Sequence, residues 1–157
     1  MTRFLVDGML GRLARWMRLL GLDTAWPGQA ADPDLVAQAV AEDRLLLTRD
    51  RRLAMRRAVR GRVLVIRSEK WREQLAQLLA EIPLAPDIKP LSRCSRCNAA
   101  LLPAVAADLP CQPPPYVVQT QPAFSRCPGC GRAYWPGTHR GHIAAEVVSR
   151  AARAMYL

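Results

Sequence analysis

From residue 1 to about 83, short apolar runs alternate with amphipathic stretches. "RFLVD" sets Phe4, Leu5 and Val6 between polar ends and predicts a buried strand. "MLGRLARWMRLLG" repeats Leu10, Leu13, Ala14, Met17 and Leu20 at helical spacing, with Arg12, Arg15 and Arg18 off that face and Gly21 as a C-terminal stop. "DTAW" predicts a short strand before a turn at Pro27-Gly28. "DPDLVAQAVAED" predicts a helix with Asp32 at the N-cap, Pro33 at the first helical position, and Leu35, Val36, Ala39 and Val40 as its apolar face. Two further strands, in "RLLLTRD" and "RVLVIR", are each followed by a helical pattern, "RRLAMRRAVR" and "SEKWREQLAQLLAEI". Strands separated by helices require crossovers, so the expected fold class is α/β, with a mainly parallel sheet covered on both faces.

The pattern changes after residue 83. "LAPDIKPLSR" is proline-rich and aperiodic and reads as a linker over 84–93. Residues 94–157 then form a second unit, a small lobe with paired cysteines followed by a terminal helix in "HIAAEVVSRAARAMYL". Half of the 157 residues are apolar, enough for one ordinary domain and an appendage. No apolar stretch reaches the roughly 18 residues of a membrane span, so neither a membrane-spanning helix nor a membrane partner is expected. The N-terminus lacks the pattern of a secretory signal, so the expected location is the cytoplasm.

Charge changes the picture. The net charge is +10, and of the 23 Lys and Arg only 2 are Lys. Guanidinium pairs with phosphate in a bidentate way, which points to nucleic acid. A GC-rich codon bias, which raises Arg, Ala and Pro together, accounts for part of the excess.

Five cysteines add a second element. Cys94-x2-Cys97 and Cys127-x2-Cys130 supply four soft ligands in two similar knuckles, the pattern of a tetrahedral structural zinc site. A disulfide pair is the alternative, disfavoured in the cytoplasm. His139 and His142 are further candidate ligands that a complete four-cysteine set makes unnecessary, and Cys111 reads as a loop or packing residue. Between and after the knuckles, "CQPPPYVVQTQPAF" predicts an extended hairpin or loop, and "GRAYWPGTHR" offers Tyr134, Trp135 and His139 beside arginine. Such rings stack on single-stranded bases, or else pack against the α/β half.

The carboxylates carry the candidate chemistry. Residues beyond the C-terminal ends of parallel strands gather along one edge, so Asp7 and Asp50 share a crevice if their strands are neighbours. Asp32, at the start of the second helix, joins them from the same side. Three adjacent carboxylates repel unless a cation neutralises them, and oxygen donors suit Mg2+ or Mn2+. A bound ion activates water and polarises a phosphodiester. Arg12, Arg15, Arg49, Arg51 and Arg52 would then hold the polyanion. Taken singly, each aspartate is also explained as a helix cap, and Asp50 as an ion-pair partner of its arginines.

"FLVDGMLGRLARWMRLLGLDT", "DPDLVAQAVAEDRLLLTRDRRL", "CSRCNAALLP" and "CPGCGRAYWPGTH", in this order, resemble the Mut-seven C-terminal RNase domain family, a PIN-like nuclease fold with an attached zinc ribbon. The resemblance covers nearly the whole chain. It implies RNA as substrate, Asp7, Asp32 and Asp50 as catalytic metal ligands, and "YWPGTH" as a family signature. PIN-type nucleases commonly carry a fourth acidic group soon after the third; "DRRLAMRR" has none, and Asp34 is the substitute. The number of catalytic metals stays open. Two other readings stand beside the ribonuclease: a non-catalytic RNA-binding or regulatory zinc-ribbon protein, and a toxin-like nuclease held by an antitoxin, for which no sequence feature decides.

Overall fold

The structure, a computed structural model, describes residues 1–84, 87–137 and 149. His139, His142 and, apart from Ser149, the expected terminal helix lie outside the described residues. The first half contains β1 (Phe4–Val6), α1 (Gly11–Leu19), β2 (Thr24–Ala25), α2 (Asp32–Ala41), β3 (Leu45–Thr48), α3 (Arg51–Ala54), β4 (Val63–Val65) and α4 (Trp71–Glu81). Its four strands are parallel in the order β2-β1-β3-β4. The α/β expectation holds.

Alternation along the strands assigns the layers. Phe4, Val6 and Leu47 face α1 and α4, where they meet Leu13, Met17, Leu75 and Leu78. Leu5 and Leu46 face the other way, against Leu35 and Ala39 of α2, Leu53 of α3 and Val59. Each buried Phe, Val or Leu of the strands contributes about 1.5–3 kcal/mol relative to exposure, which fixes the register because a one-residue slip would turn that strand's side chains to the opposite face.

Local departures have local causes. Asp32 is the first residue of α2 and makes no capping hydrogen bond; Ala31 is the N-cap, and its carbonyl accepts from Asp34 and Leu35 N–H. Val40, expected on the apolar face, is 46% exposed, because α2 covers the sheet through Leu35 and Ala39. The basic segment after Asp50 breaks into the single turn of α3 and a 3-10 turn at Arg57–Val59.

The second half holds β5 (Leu102–Ala104), α5 (Pro115–Thr120), β6 (Phe124–Arg126) and β7 (Ala133–Tyr134), with the strands antiparallel in the order β5-β6-β7. The stretch expected as an extended hairpin or loop therefore includes a short helix, with Pro115 in its first turn. Residues 87–93 are bonded to the end of α1: Lys89 and Leu91 N–H donate to Leu20 and Leu19 carbonyls at 2.9 Å each. Those helix-end carbonyls would otherwise lack partners. Gly21, at φ +85, is required here, since a Cβ would collide with the Lys89 carbonyl.

Arg18 ties the halves together. It is 4% exposed, not part of a solvated face, and its guanidinium donates to the carbonyls of Thr24 (2.8 Å), Arg96 (2.7 Å) and Ser95 (3.4 Å). Asn98 accepts from Thr24 N–H at 3.0 Å and donates to Asp23 at 2.9 Å. Asp23 also pairs with Arg44 at 2.8 Å and Arg93 at 3.4 Å. Burial raises the Asp23 pKa, but the hydrogen bonds from Arg44 and Asn98 outweigh it and hold the carboxyl below its usual value.

Candidate acidic site and cysteine centre

β1 and β3 are neighbours, paired Val6 to Leu47, and the strand order reverses between them. In open parallel sheets this switch point opens the crevice in which ligands bind. Asp7 follows β1 and Asp50 closely follows β3. Thr48 joins them: its buried hydroxyl donates to Asp7 Oδ2 at 2.7 Å and accepts from Asp50 N–H at 3.0 Å. One carboxylate oxygen of Asp50 caps α3, accepting from Arg52 N–H (2.7 Å) and Leu53 N–H (3.2 Å). Capping thus occupies one oxygen and leaves the other available to a ligand.

Asp7 lies in a cleft of about 460 Å³ lined also by Gly8, Met9, Gly28, Gln29, Ala30 and Ala31, so the cleft runs from the end of β1 to the start of α2. Gly8 is needed for this closeness, because a Cβ there would lie 2.5 Å from the Gly28 carbonyl oxygen. Trp26 Nε1 donates to the Gly8 carbonyl at 3.2 Å and fixes the same corner.

Asp32 stands at the α2 end of this edge, with its carboxylate 3.8 Å from Arg56. Asp34, one position past Pro33, is exposed. Among the described residues, the only set of three or more His, Cys, Asp or Glu side chains whose ligand atoms all lie within 4.8 Å is the four cysteines. The three aspartates expected to share one crevice do not form such a set: Asp7 and Asp50 are linked through Thr48, and Asp32 turns to a guanidinium. Arg56 supplies the counter-charge that Asp32 faces.

The arginines expected to hold a polyanion differ in their surroundings. Arg12, Arg15, Arg51 and Arg52 are exposed, and Arg49 pairs with Glu69 at 3.0 Å.

The cysteine centre is closed. In the first knuckle Cys94 N–H donates to Ala99 O and Asn98 N–H to Cys94 O; in the second, Cys127 N–H donates to Arg132 O and Gly131 N–H to Cys127 O. Asn98 and Gly131 occupy equivalent positions, at φ 68 and 73. The sulfurs of Cys94 and Cys130 are 3.5 Å apart, those of Cys97 and Cys127 3.3 Å. Tetrahedral zinc with sulfur ligands implies sulfur separations of roughly 3.8 Å. The cluster can bind zinc. Cys111 is exposed and outside it.

Tyr134 belongs to this centre. Its hydroxyl lies 3.1 Å from Cys94 Sγ and accepts from Ser95 N–H at 3.0 Å. Burial pushes the Tyr134 pKa up, to about 12, and the Cys94 contact adds to the rise. Burial also pushes Cys94 up, yet the Tyr134 hydroxyl and the N–H groups of Cys97 and Arg96 more than reverse it and hold the thiol at about 6. Cys97 gains from the Ala99 N–H, but burial and the neighbouring thiols drive it to about 12. One thiolate forms readily and opposes the next, the imbalance that a divalent cation removes. Trp135 packs near Phe124, ring centroids 6.1 Å apart. Packing within the cysteine lobe thus accounts for Tyr134, whose hydroxyl is committed there.

A family model described as Mut7-C RNAse domain matches residues 2–147. The chain belongs to that family. Neither a curated protein nor a solved structure matches it. Membership in the Mut7-C RNAse domain family points to a nuclease-type function and to RNA as the substrate.

Sequence reasoning about this Mut7-C domain missed Thr48, Asp23, Asn98 and Arg18. Thr48 left a signal, a hydroxyl closing an otherwise apolar strand just before "RD". The other three act across the two halves, and no local pattern marks them.

Proposed function

We propose that the chain is a metal-dependent ribonuclease with a PIN-like catalytic half, hydrolysing RNA phosphodiester bonds at the C-terminal edge of the parallel sheet. One observation carries the reading: Asp7 and Asp50 end two paired strands at the switch point and share the Thr48 hydroxyl. Asp7, Asp32 and Asp50 would hold Mg2+ or Mn2+, with Asp34 as a further donor. Such an ion, when bound, polarises the phosphodiester and lowers the pKa of a bound water. Thr48 orients the Asp7 carboxylate, and the capping bonds to Asp50 orient its second oxygen. Arg51 and Arg52, exposed beside Asp50, hold substrate phosphates without reading sequence.

Asp50→Asn tests this. Asn caps a helix about as well as Asp, so the fold should persist while cleavage of labelled RNA in Mg2+ or Mn2+ disappears. Undiminished turnover by the folded variant would overturn the assignment.

A second reading, a non-catalytic RNA-binding protein, is favoured by the Asp32–Arg56 pair, which engages one of the three acids without metal. RNA binding that survives without divalent ions, together with no cleavage when either is added, would select it.

A further inference from the structure

Beside the acidic cleft, an aromatic column ends in a cation. Trp16 of α1 and Trp71 of α4 lie face to face, with centroids 4.4 Å apart and planes 1° from parallel. Trp16 covers one face of the Trp71 indole, which leaves the other for the Arg72 guanidinium, whose central carbon is 4.5 Å from the ring centroid. Arg72 is itself exposed, so the column has a solvent side. Arg72 lines a groove of about 600 Å³ whose walls include Met9, Arg12, Lys70 and Trp71. Met9, 61% exposed, borders both this groove and the cleft that holds Asp7, which makes the two consecutive along one edge of the sheet.

The groove's charge balance favours an anion. Its carboxylates are engaged: Glu69 pairs with Arg49, and Glu73 accepts from the Ser68 hydroxyl at 2.6 Å and pairs with Lys70 at 3.4 Å. Arg12 and Arg72 have no carboxylate partner among the described residues. A guanidinium plane stacks on a nucleobase as it does on indole, and one already resting over Trp71 loses less side-chain freedom on binding.

We propose that this groove is a nucleotide subsite for single-stranded RNA. A base stacks on the solvent side of Arg72 and extends the Trp16, Trp71, Arg72 column, while Arg12 holds the phosphate that leads toward the acidic cleft. The base must be unstacked from its neighbours, so the ligand is a single strand and not a duplex. This rests on the reading of the sheet edge as the RNA-cleaving site.

The test measures binding of a labelled short oligoadenylate by fluorescence anisotropy in zinc-containing buffer without Mg2+ or Mn2+, with an abasic oligomer of equal length as control. Arg72→Gln is expected to weaken oligoadenylate binding about 5- to 100-fold and abasic binding hardly at all. Arg72→Lys, which keeps charge but loses the plane, should behave like Gln. Arg12→Gln should weaken both oligomers equally and lower the salt slope by about one phosphate contact. Equal losses for both oligomers with Arg72→Gln, or no loss, would overturn the subsite. Cleavage is read separately in Mn2+: an active wild type with equal losses sinks the subsite alone. Base-selective loss with an inactive wild type supports the subsite and sinks the nuclease reading.

Discussion

In the cysteine centre four sulfurs lie within 4.8 Å of one another, whereas at the sheet edge Asp7 and Asp50 meet through a threonine hydroxyl and Asp32 turns to Arg56. Both regions present ligand-type side chains, and both involve residues far apart in the chain. The difference lies in what holds each group: the cysteines sit on two knuckles of the same backbone shape, each closed by the same pair of backbone hydrogen bonds. The aspartates are held by separate partners, Asp7 and Asp50 by the Thr48 hydroxyl and Asp32 by the Arg56 guanidinium. Among the described residues the fold itself thus brings the four cysteines within ligand distance of one another, and it does not do so for the three aspartates.

Removing metal from the closed centre should have the largest effect. Zinc should copurify at one per chain, and chelation or Cys127→Ser should unfold the lobe, since a structural zinc is linked to about 10 kcal/mol or more of folding free energy in small domains. Cys111→Ser should leave zinc content and melting unchanged. Metal analysis with thermal melting decides; a lobe that melts identically without zinc would erase the contrast.

At the open edge, Thr48→Val keeps the shape and removes the shared hydroxyl. Cleavage should fall about 10- to 100-fold, the usual effect of losing an outer-sphere partner of a ligand, with a loss of roughly 1–3 kcal/mol in urea unfolding. Unchanged cleavage would mean that Thr48 serves folding alone.

Between the two regions, Arg18→Met strands the carbonyls of Thr24, Ser95 and Arg96 and should destabilise by about 1–3 kcal/mol, with faster amide exchange at Thr24 and Asn98. Exchange confined to one half would show that the halves do not share this bond network.

The smallest effect concerns pH. The Asp23 carboxyl is held below its ordinary value of 3.8, so its contribution is fully present above that pH and is lost as acid protonates the folded form below it. Asp23→Asn should therefore flatten the fall of melting temperature below about pH 4. An unchanged acid limb would assign it to other carboxylates.

Much of the α/β half was legible because burial has a period. Phe4, Leu5 and Val6, the apolar run of β3 and the leucines of α4 are where alternation and helical spacing put them. Arg18 was not legible: spacing groups it with Arg12 and Arg15, and only the first cysteine knuckle, laid over its head group, makes it a buried donor. The paired CxxC steps announced the metal cluster directly. At the acidic edge, strand ends located Asp7 and Asp50 side by side, but nothing local in the sequence shows that Asp32 turns to Arg56.

The outward N–H and carbonyl of Thr24 are taken up by Asn98 and Arg18, so the outermost strand of the parallel sheet offers no free rung there to another chain. The first knuckle is thus a guard rail as well as a metal clamp. When metal is lost, that rung is bared, and intermolecular strand pairing becomes the expected route to turbidity in apo preparations.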